Sequence, residues 1–399
     1  MFRFSLVLAV LAGGCSSPAA DDAESITVGL LLPFTGTDSA TSSNFERAVL
    51  YARDRINEGG GPKGRHIRIV SADTHSDVAR AKQSAEALIA AGALVVIGPE
   101  SAEIAAEIKP ILDQHQVIFL SPVVGAADDH DVDCTTAWFR LAPSSRALGE
   151  ALAKQVIAAS LKSAAVLHSD GAYDQALRQA FENRFVALGG SVAFEGTLFR
   201  DAQSYSDTIG AALTPPKVDA ILLSTSPRSG ALFVNELAVY NPRPKLFLSP
   251  LLKTDLLLQN AAPEALEGAM GVAPKIFDTS DKFPQAFGAR WLGDQPLKGA
   301  FFYYDALAMI AFALERSDLS DGRFEADRVR AAIFAGTGPF GESAQWDEIA
   351  SSLPRIRVGK DDYYTGLTGP ILLQPCGGRR SGASSNWQIH AGAITLISP

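Results

Sequence analysis

VVIGPESAEIAAEI, from Val95 to Ile108, decides how the rest of the chain is read. An apolar run ends at Gly98-Pro99, and a helix rich in small residues opens behind Glu100-Ser101. A parallel strand that stops in a tight turn and feeds a helix is where open α/β sheets bind their ligands. Upstream, ITVGLLLP (Ile26–Pro33) is a buried-strand run. NFERAVLYARDRINEGG carries Phe45, Val49, Ala52 and Ile56 as a helical stripe and stops at Gly59, Gly60 and Gly61. HIRIVSAD alternates with period two, and the helix-period segment DVARAKQSAEALIAAG leads into ALVVIGP. Downstream, the helical AEIAAEIKPILDQH is followed by the strand VIFLSP. Such short-spaced alternation calls for a parallel sheet with helices on both faces.

After AWFRLAPS the alternation starts again. Helix RALGEALAKQVIAAS, strand AAVLHSD, helix QALRQAFENRFVALGG and strand SVAFEGTLF come first; helix SYSDTIGAAL, strand VDAILLST, helix ALFVNELAVY and strand KLFLSP follow. A restart implies a second α/β lobe rather than a longer sheet. FFYYDALAMIAFALER and EADRVRAAIFAG read as two further helices, and TGPILLQP with NWQIHAGAITLI as a closing β-hairpin.

Length and composition agree with two lobes: 399 residues at 47% apolar content can build more than one core. Net charge is −9, from 35 basic and 44 acidic residues, without a long basic run, which argues against a nucleic-acid partner. Residues 1–15, MFRFSLVLAVLAGGC, hold one Arg, an apolar run from Phe4 to Ala12 and small residues up to Cys15, the pattern of a secretory signal. The Leu-Ala-Gly-Gly-Cys ending resembles the bacterial lipobox, which implies lipidation of Cys15; a plain signal peptide that contains a cysteine is the alternative. Residues 16–25 read as a flexible polar tether, and no later segment approaches the ~20 apolar residues of a membrane span. The expectation is an exported periplasmic or cell-envelope lipoprotein, held at the membrane by its lipid anchor and otherwise soluble.

Enzyme signatures are missing: there is no G-x-S-x-G elbow, phosphate loop or H-E-x-x-H. The six histidines lack metal-ligand spacing, and Asp73, His75 and Asp77 precede a helix, where such residues cap. No catalytic residue, cofactor or metal is expected.

The order ITVGLLLPFTG, ARDRINEGGGPKGRHIRIVSADTHSD, VVIGPESAE, VIFLSP, WFRLAPS, YDALAMIAFALE and TGPILL resembles the type I periplasmic solute-binding proteins. More narrowly, it is similar to the leucine/isoleucine/valine-binding group of branched-chain amino-acid ABC importers. The resemblance spans about Ile26 to Ile397 and implies two doubly wound, Rossmann-like α/β lobes joined by a three-stranded hinge. A small organic solute would bind between them as a monomer closes, and ABC permease subunits would recognise the closed form. It places the crossings near Trp138–Pro143, Val272–Phe277 and Gly336–Gly341. Lobe one is then 26–141 plus 275–334, and lobe two 142–274 plus 335–399, including the closing hairpin.

The resemblance also implies a ligand clamp. Its carboxylate-binding serine falls on Ala102, with Ser101 one residue earlier and the acids Glu100 and Glu103 alongside; Ser101 also reads as a helix N-cap. The second element is the loop Ser121–Ala126, with Val123, Val124 and Gly125, where Gly125 stands in place of a hydroxyl residue. Tyr173, in DGAYDQ, keeps the tyrosine of the lobe-two strand tip, although Asp174 takes the place of a glycine. A further cleft aromatic falls on Ser226, and the acid that pairs with a ligand ammonium falls on Leu251. Leaving a buried charge unpaired costs about 3–5 kcal/mol, so a standard zwitterionic amino acid is not expected as the ligand. The alternative is a non-transport sensor or a degenerate scaffold of the same fold. Finally, the crossings of the implied fold run side by side, and in an exported chain that implies a disulfide between Cys134 and Cys376.

Overall fold

The computed structural model describes residues 25–124, 138–199, 201–214, 218–277, 280–336, 341–373, 377–379 and 384–397. The first lobe begins with β1 (Ile26–Leu32), α1 (Ser42–Glu58), β2 (Ile67–Asp73), α2 (Val78–Ala90) and β3 (Val95–Ile97). It continues with α3 (Ala102–Gln114), β4 (Ile118–Ser121) and β5 (Trp138–Arg140). Its five strands are all parallel, in the order β2-β1-β3-β4-β5. Strand side chains alternate between two layers. Val28, Leu30, Val95, Ile97, Ile118 and Leu120 face a core shared with α1, whereas Leu31, Val96 and Phe119 face α2 and α3. With both faces covered, the strands read as continuous apolar runs, as buried parallel strands do.

The second lobe comprises α4 (Ser145–Ala158), β6 (Ser163–His168), α5 (Ala172–Ala187), β7 (Ser191–Thr197), α6 (Ser206–Leu213) and β8 (Ala220–Ser224). It continues with α7 (Pro227–Leu237), β9 (Lys245–Leu248), α8 (Asp255–Asn260), α9 (Pro263–Leu266) and β10 (Met270–Pro274). Its parallel strands run β10-β9-β8-β6-β7. Numbered from its own first strand this is the same 2-1-3-4-5 order as lobe one, so the architecture is repeated. The two-lobed α/β fold expected from the sequence is the one observed.

After β10 the chain returns to lobe one: the Phe277 amide donates to Leu367 O at 2.9 Å. There follow α10 (Lys282–Arg290), α11 (Lys298–Arg316), α12 (Ala326–Gly336), β11 (Glu342–Ala344) and α13 (Ile349–Arg357). The chain ends with β12 (Asp362–Gly366), β13 (Gly369–Pro370), β14 (Ser384–His390) and β15 (Ala393–Ile397). Helix α11 is buried at every position from Ala300 to Glu315, as a helix apolar on all sides requires.

Two expectations are corrected here. Residues 344–373 do not belong to lobe two: Trp346, Ile349, Leu353, Tyr364, Leu367 and Ile371 sit in the lobe-one core. Asp305 of α11 ties them down. It accepts hydrogen bonds from Tyr364 Oη (2.7 Å), the Leu367 amide (2.9 Å), the Thr368 amide (2.8 Å) and Thr368 Oγ1 (2.7 Å). The third passage between lobes therefore lies between Leu373, on the first core, and Ser384, on the second sheet, well after Gly336–Gly341. Nor does TGPILLQP pair with NWQIHAGAITLI. Gly369–Pro370 turns back on Thr365–Gly366, and the hairpin is β14 with β15. Its two-residue turn, Ala391-Gly392, has both φ values positive (50° and 73°), the geometry that matches strand twist. β14 extends the second sheet antiparallel to β10.

Candidate functional site

In a 2-1-3-4-5 sheet the crevice opens at the carboxyl ends of the strands where the order reverses, β1/β3 in lobe one and β6/β8 in lobe two. On lobe one, β3 stops at Gly98, whose φ is +110° and where a Cβ would lie 2.0 Å from the Leu31 carbonyl oxygen. Only glycine fits this turn, and it aims Glu100 and the start of α3 at the crevice. Ser101 caps α3, its Oγ accepting the Ile104 amide at 3.3 Å, so the capping role is the one its geometry carries. Ala102, the first residue of the helix, is half-buried and brings no hydroxyl.

Glu100 is tied to the other side of the switch point. Thr41 Oγ1 donates to its Oε2 at 3.0 Å and lies 3.2 Å from Oε1. Burial, with Asp38 adding to it against the Thr41 hydrogen bond, pushes the carboxyl up to about 7. At neutral pH a large share of it is therefore uncharged, and the acid repels an anion less than the sequence alone suggests. Beneath it Tyr303 of α11 stacks on Phe45 of α1 with ring centres 4.8 Å apart. The Tyr303 hydroxyl is buried without a hydrogen-bond partner among the described residues.

Other residues taken from the resemblance turn inward. Ser121 is fully buried: Trp138 Nε1 donates to its Oγ at 2.9 Å and the Leu141 amide to its carbonyl at 3.2 Å. It ties β4 to the first crossing. Val124 is buried and Val123 packs on the lobe-one core. Gly125, Cys15, Cys134 and Cys376 lie outside the described residues.

On lobe two, Ser169 and Thr225 end β6 and β8 with their hydroxyls 2.6 Å apart, both buried. Tyr173, in the first turn of α5, packs its ring on the core beneath that sheet. Burial, and then the charge of Asp174, hold its hydroxyl well above the usual range. Asp174 itself accepts from Ser224 Oγ at 2.6 Å, which explains an acid where the resemblance expects a glycine. Ser226 caps α7 through the Ser229 amide at 3.2 Å, and Leu251 is 40% exposed. Helices α3 and α5 approach each other, so the two switch points face across one crevice.

Sequence reasoning missed Thr41, the partner of Glu100, which lies in a polar stretch without period. Among the described residues no group of three or more His, Cys, Asp or Glu could hold a metal, and no helix is long and apolar enough to cross a membrane.

Two repeated α/β lobes with facing switch points define a bilobal binding-protein architecture. The family description of periplasmic binding proteins matches residues 25–343, and the chain belongs to that family. A chemotactic signal transduction system substrate-binding protein, BasB of Halobacterium salinarum, is 25% identical over 362 residues, covering 87% of this chain and 83% of the relative. A leucine-binding protein, LivK of Thermotoga maritima, superposes with a TM-score of 0.75 at 19% identity, over 94% of this chain and 98% of its own. A solute-binding protein of an ABC transporter from R. palustris, solved with benzoate, gives 0.72 at 21% identity, over 94% and 95%.

Proposed function

We propose that this chain is the extracytoplasmic solute receptor of an ABC importer of the branched-chain amino-acid type, and that it binds a small organic solute other than a zwitterionic amino acid. The observation that carries the reading is the chemistry around the crevice. Ser101 and Ser226 are spent as helix caps, Ala102 and Leu251 offer no polar group, and Glu100 is half-neutral near pH 7. A ligand ammonium would find no carboxylate on the loop at Leu251, where the resemblance expects one, and burial of an unpaired ammonium costs about 3–5 kcal/mol. The benzoate in the R. palustris protein supports a non-amino-acid solute within this fold. Export, a lipid anchor at Cys15, a monomeric state and closure onto permease subunits complete the proposal; it needs no cofactor and no catalytic step. A sensor that signals without transport is the second reading, favoured by the likeness to the chemotactic BasB. A thermal-shift screen of the full chain against a solute library tests the proposal. A solute at 100-fold excess over its Kd should stabilise the fold by about 2.7 kcal/mol, and a library of acids, amides, sugars and amino acids that leaves the midpoint unmoved contradicts it.

A further inference from the structure

Arg379 is buried, 6% exposed, on the stretch of chain that leaves lobe one for the last time. Its guanidinium forks onto the first crossing and onto one turn of lobe one. Nη1 donates to Leu141 O at 3.2 Å, on the first crossing, and to Thr368 Oγ1 at 3.2 Å. Nη2 donates to Thr368 O at 2.7 Å, Pro370 O at 2.9 Å and Gly369 O at 3.3 Å, along the turn between β12 and β13. The same turn holds the second crossing: the Phe277 amide donates to Leu367 O at 2.9 Å, and the Phe277 ring lies against Gly369. The third crossing is pressed on the first. Arg140 donates its amide to Gly377 O at 2.8 Å, and a Cβ at Gly377, whose φ is +78°, would fall 2.0 Å from Trp138 O. No side chain fits there.

This node is anchored in the lobe-one core by Asp305 of α11. Thr368 Oγ1 stands between the two buried charges, donating to Asp305 Oδ2 at 2.7 Å and accepting from Arg379. Burial works against the guanidinium charge, and the Asp305 charge works for it. Lysine could not take over this role, because its ammonium has three donors and no rigid fork. The partners of Arg379 all lie on lobe one or on the lobe-one end of a crossing. Towards lobe two the crossings separate, the first into α4 from Ser145, the second from β10, which ends at Pro274, and the third into β14 from Ser384.

We propose that Arg379 is the pin of the inter-lobe hinge, a positioning residue that fastens the lobe-one ends of all three crossings into one rigid block. The proposal goes beyond the receptor reading, since it needs only two lobes and three crossings. Bending is confined to chain beyond Leu141, before Phe277 and beyond Arg379, so the lobes move as two bodies about one axis. Hinges of this kind place the change in a few residues at element ends. Without the pin the crossings flex separately and the lobes sample more arrangements.

The test uses the purified full chain without ligand. Nitroxides on ketone-bearing residues introduced at Glu86 of α2 and Gln259 of α8, both exposed and one on each lobe, report the inter-lobe distance distribution by pulsed electron spin resonance. Arg379→Met and Arg379→Lys should each broaden that distribution about twofold or more. Amide exchange at Arg140 and Phe277 should quicken by about tenfold or more, while Val96 and Leu222, within the two sheets, exchange as in the unsubstituted protein. Arg379→Lys keeps the charge, so a change shared by both variants belongs to the fork. A distribution that stays as narrow overturns the pin, whatever the unfolding midpoint does. Exchange that quickens equally at all four amides marks a general loss of stability and overturns it too. Failure of both variants to fold has the same consequence, because a pin confined to the hinge leaves the core of each lobe intact. None of these outcomes bears on whether the crevice binds a solute.

Discussion

Replacing Glu100 with Gln should flatten one component of the pH dependence of stability. Burial raises the folded-state carboxyl from 4.5 to about 7, so the folded protein holds this proton more tightly than the unfolded chain does. The stabilising contribution of the protonated form is fully present below pH 4.5 and is lost as pH rises through about 7. At 1.36 kcal/mol per pH unit the loss is at most about 3 kcal/mol. Glu100 is not fully enclosed, and solvent screening brings the expected figure to about 1–2 kcal/mol. The assay is denaturant unfolding of both proteins at closely spaced pH values from 4 to 8. Every other ionisable group is common to the two proteins, so the difference between the curves isolates position 100. The unsubstituted protein should lose about 1–2 kcal/mol relative to Glu100→Gln between the two ends of that range. Parallel curves, or a gap that widens in the other direction, would refute the assignment of a buried, raised carboxyl.

Three further outcomes follow from particular contacts. Asp305→Ala strands four donors on residues 364–368 and should destabilise by about 3–5 kcal/mol, with amide exchange accelerated at Leu367 and Thr368; a midpoint within error of the unsubstituted protein contradicts the anchoring role. Cys134 and Cys376 should form a disulfide, a proposal supported by Arg140, six residues after the first, donating its amide at 2.8 Å to the carbonyl of Gly377, which follows the second; two thiols titrating in the unfolded, unreduced protein would exclude it. Labelled palmitate should be incorporated by cells expressing the protein and vanish with Cys15→Ser, and equal labelling of the two would contradict lipidation.

Periodicity made the two parallel sheets legible, since buried strands such as Ile26–Leu32 and Ala220–Ser224 are continuous apolar runs between amphipathic helices. It failed for residues 342–373. β11 and β13 are three and two residues long, too short to show a period, and Asp305 secures that segment through amide and hydroxyl donors that no pattern announces. The hairpin turn was readable in principle from Ala391-Gly392, but Gly369 offered a competing turn. At the site, the resemblance names loops and residues, and the structure adds what each side chain bonds to. Whether a serine faces a crevice or caps a helix depends on one backbone amide, as at Ser101 and Ser226.

The central claim is that this crevice has kept the fold of an amino-acid receptor without its clamp for a zwitterion. Calorimetric titration of leucine, isoleucine and valine into the full chain tests it most directly. With no acid at Leu251 and no hydroxyl at Ala102, the unpaired ammonium alone should weaken binding by roughly two to four powers of ten, so no saturable heat is expected for any of the three at micromolar ligand. A micromolar Kd for leucine, isoleucine or valine would contradict the account.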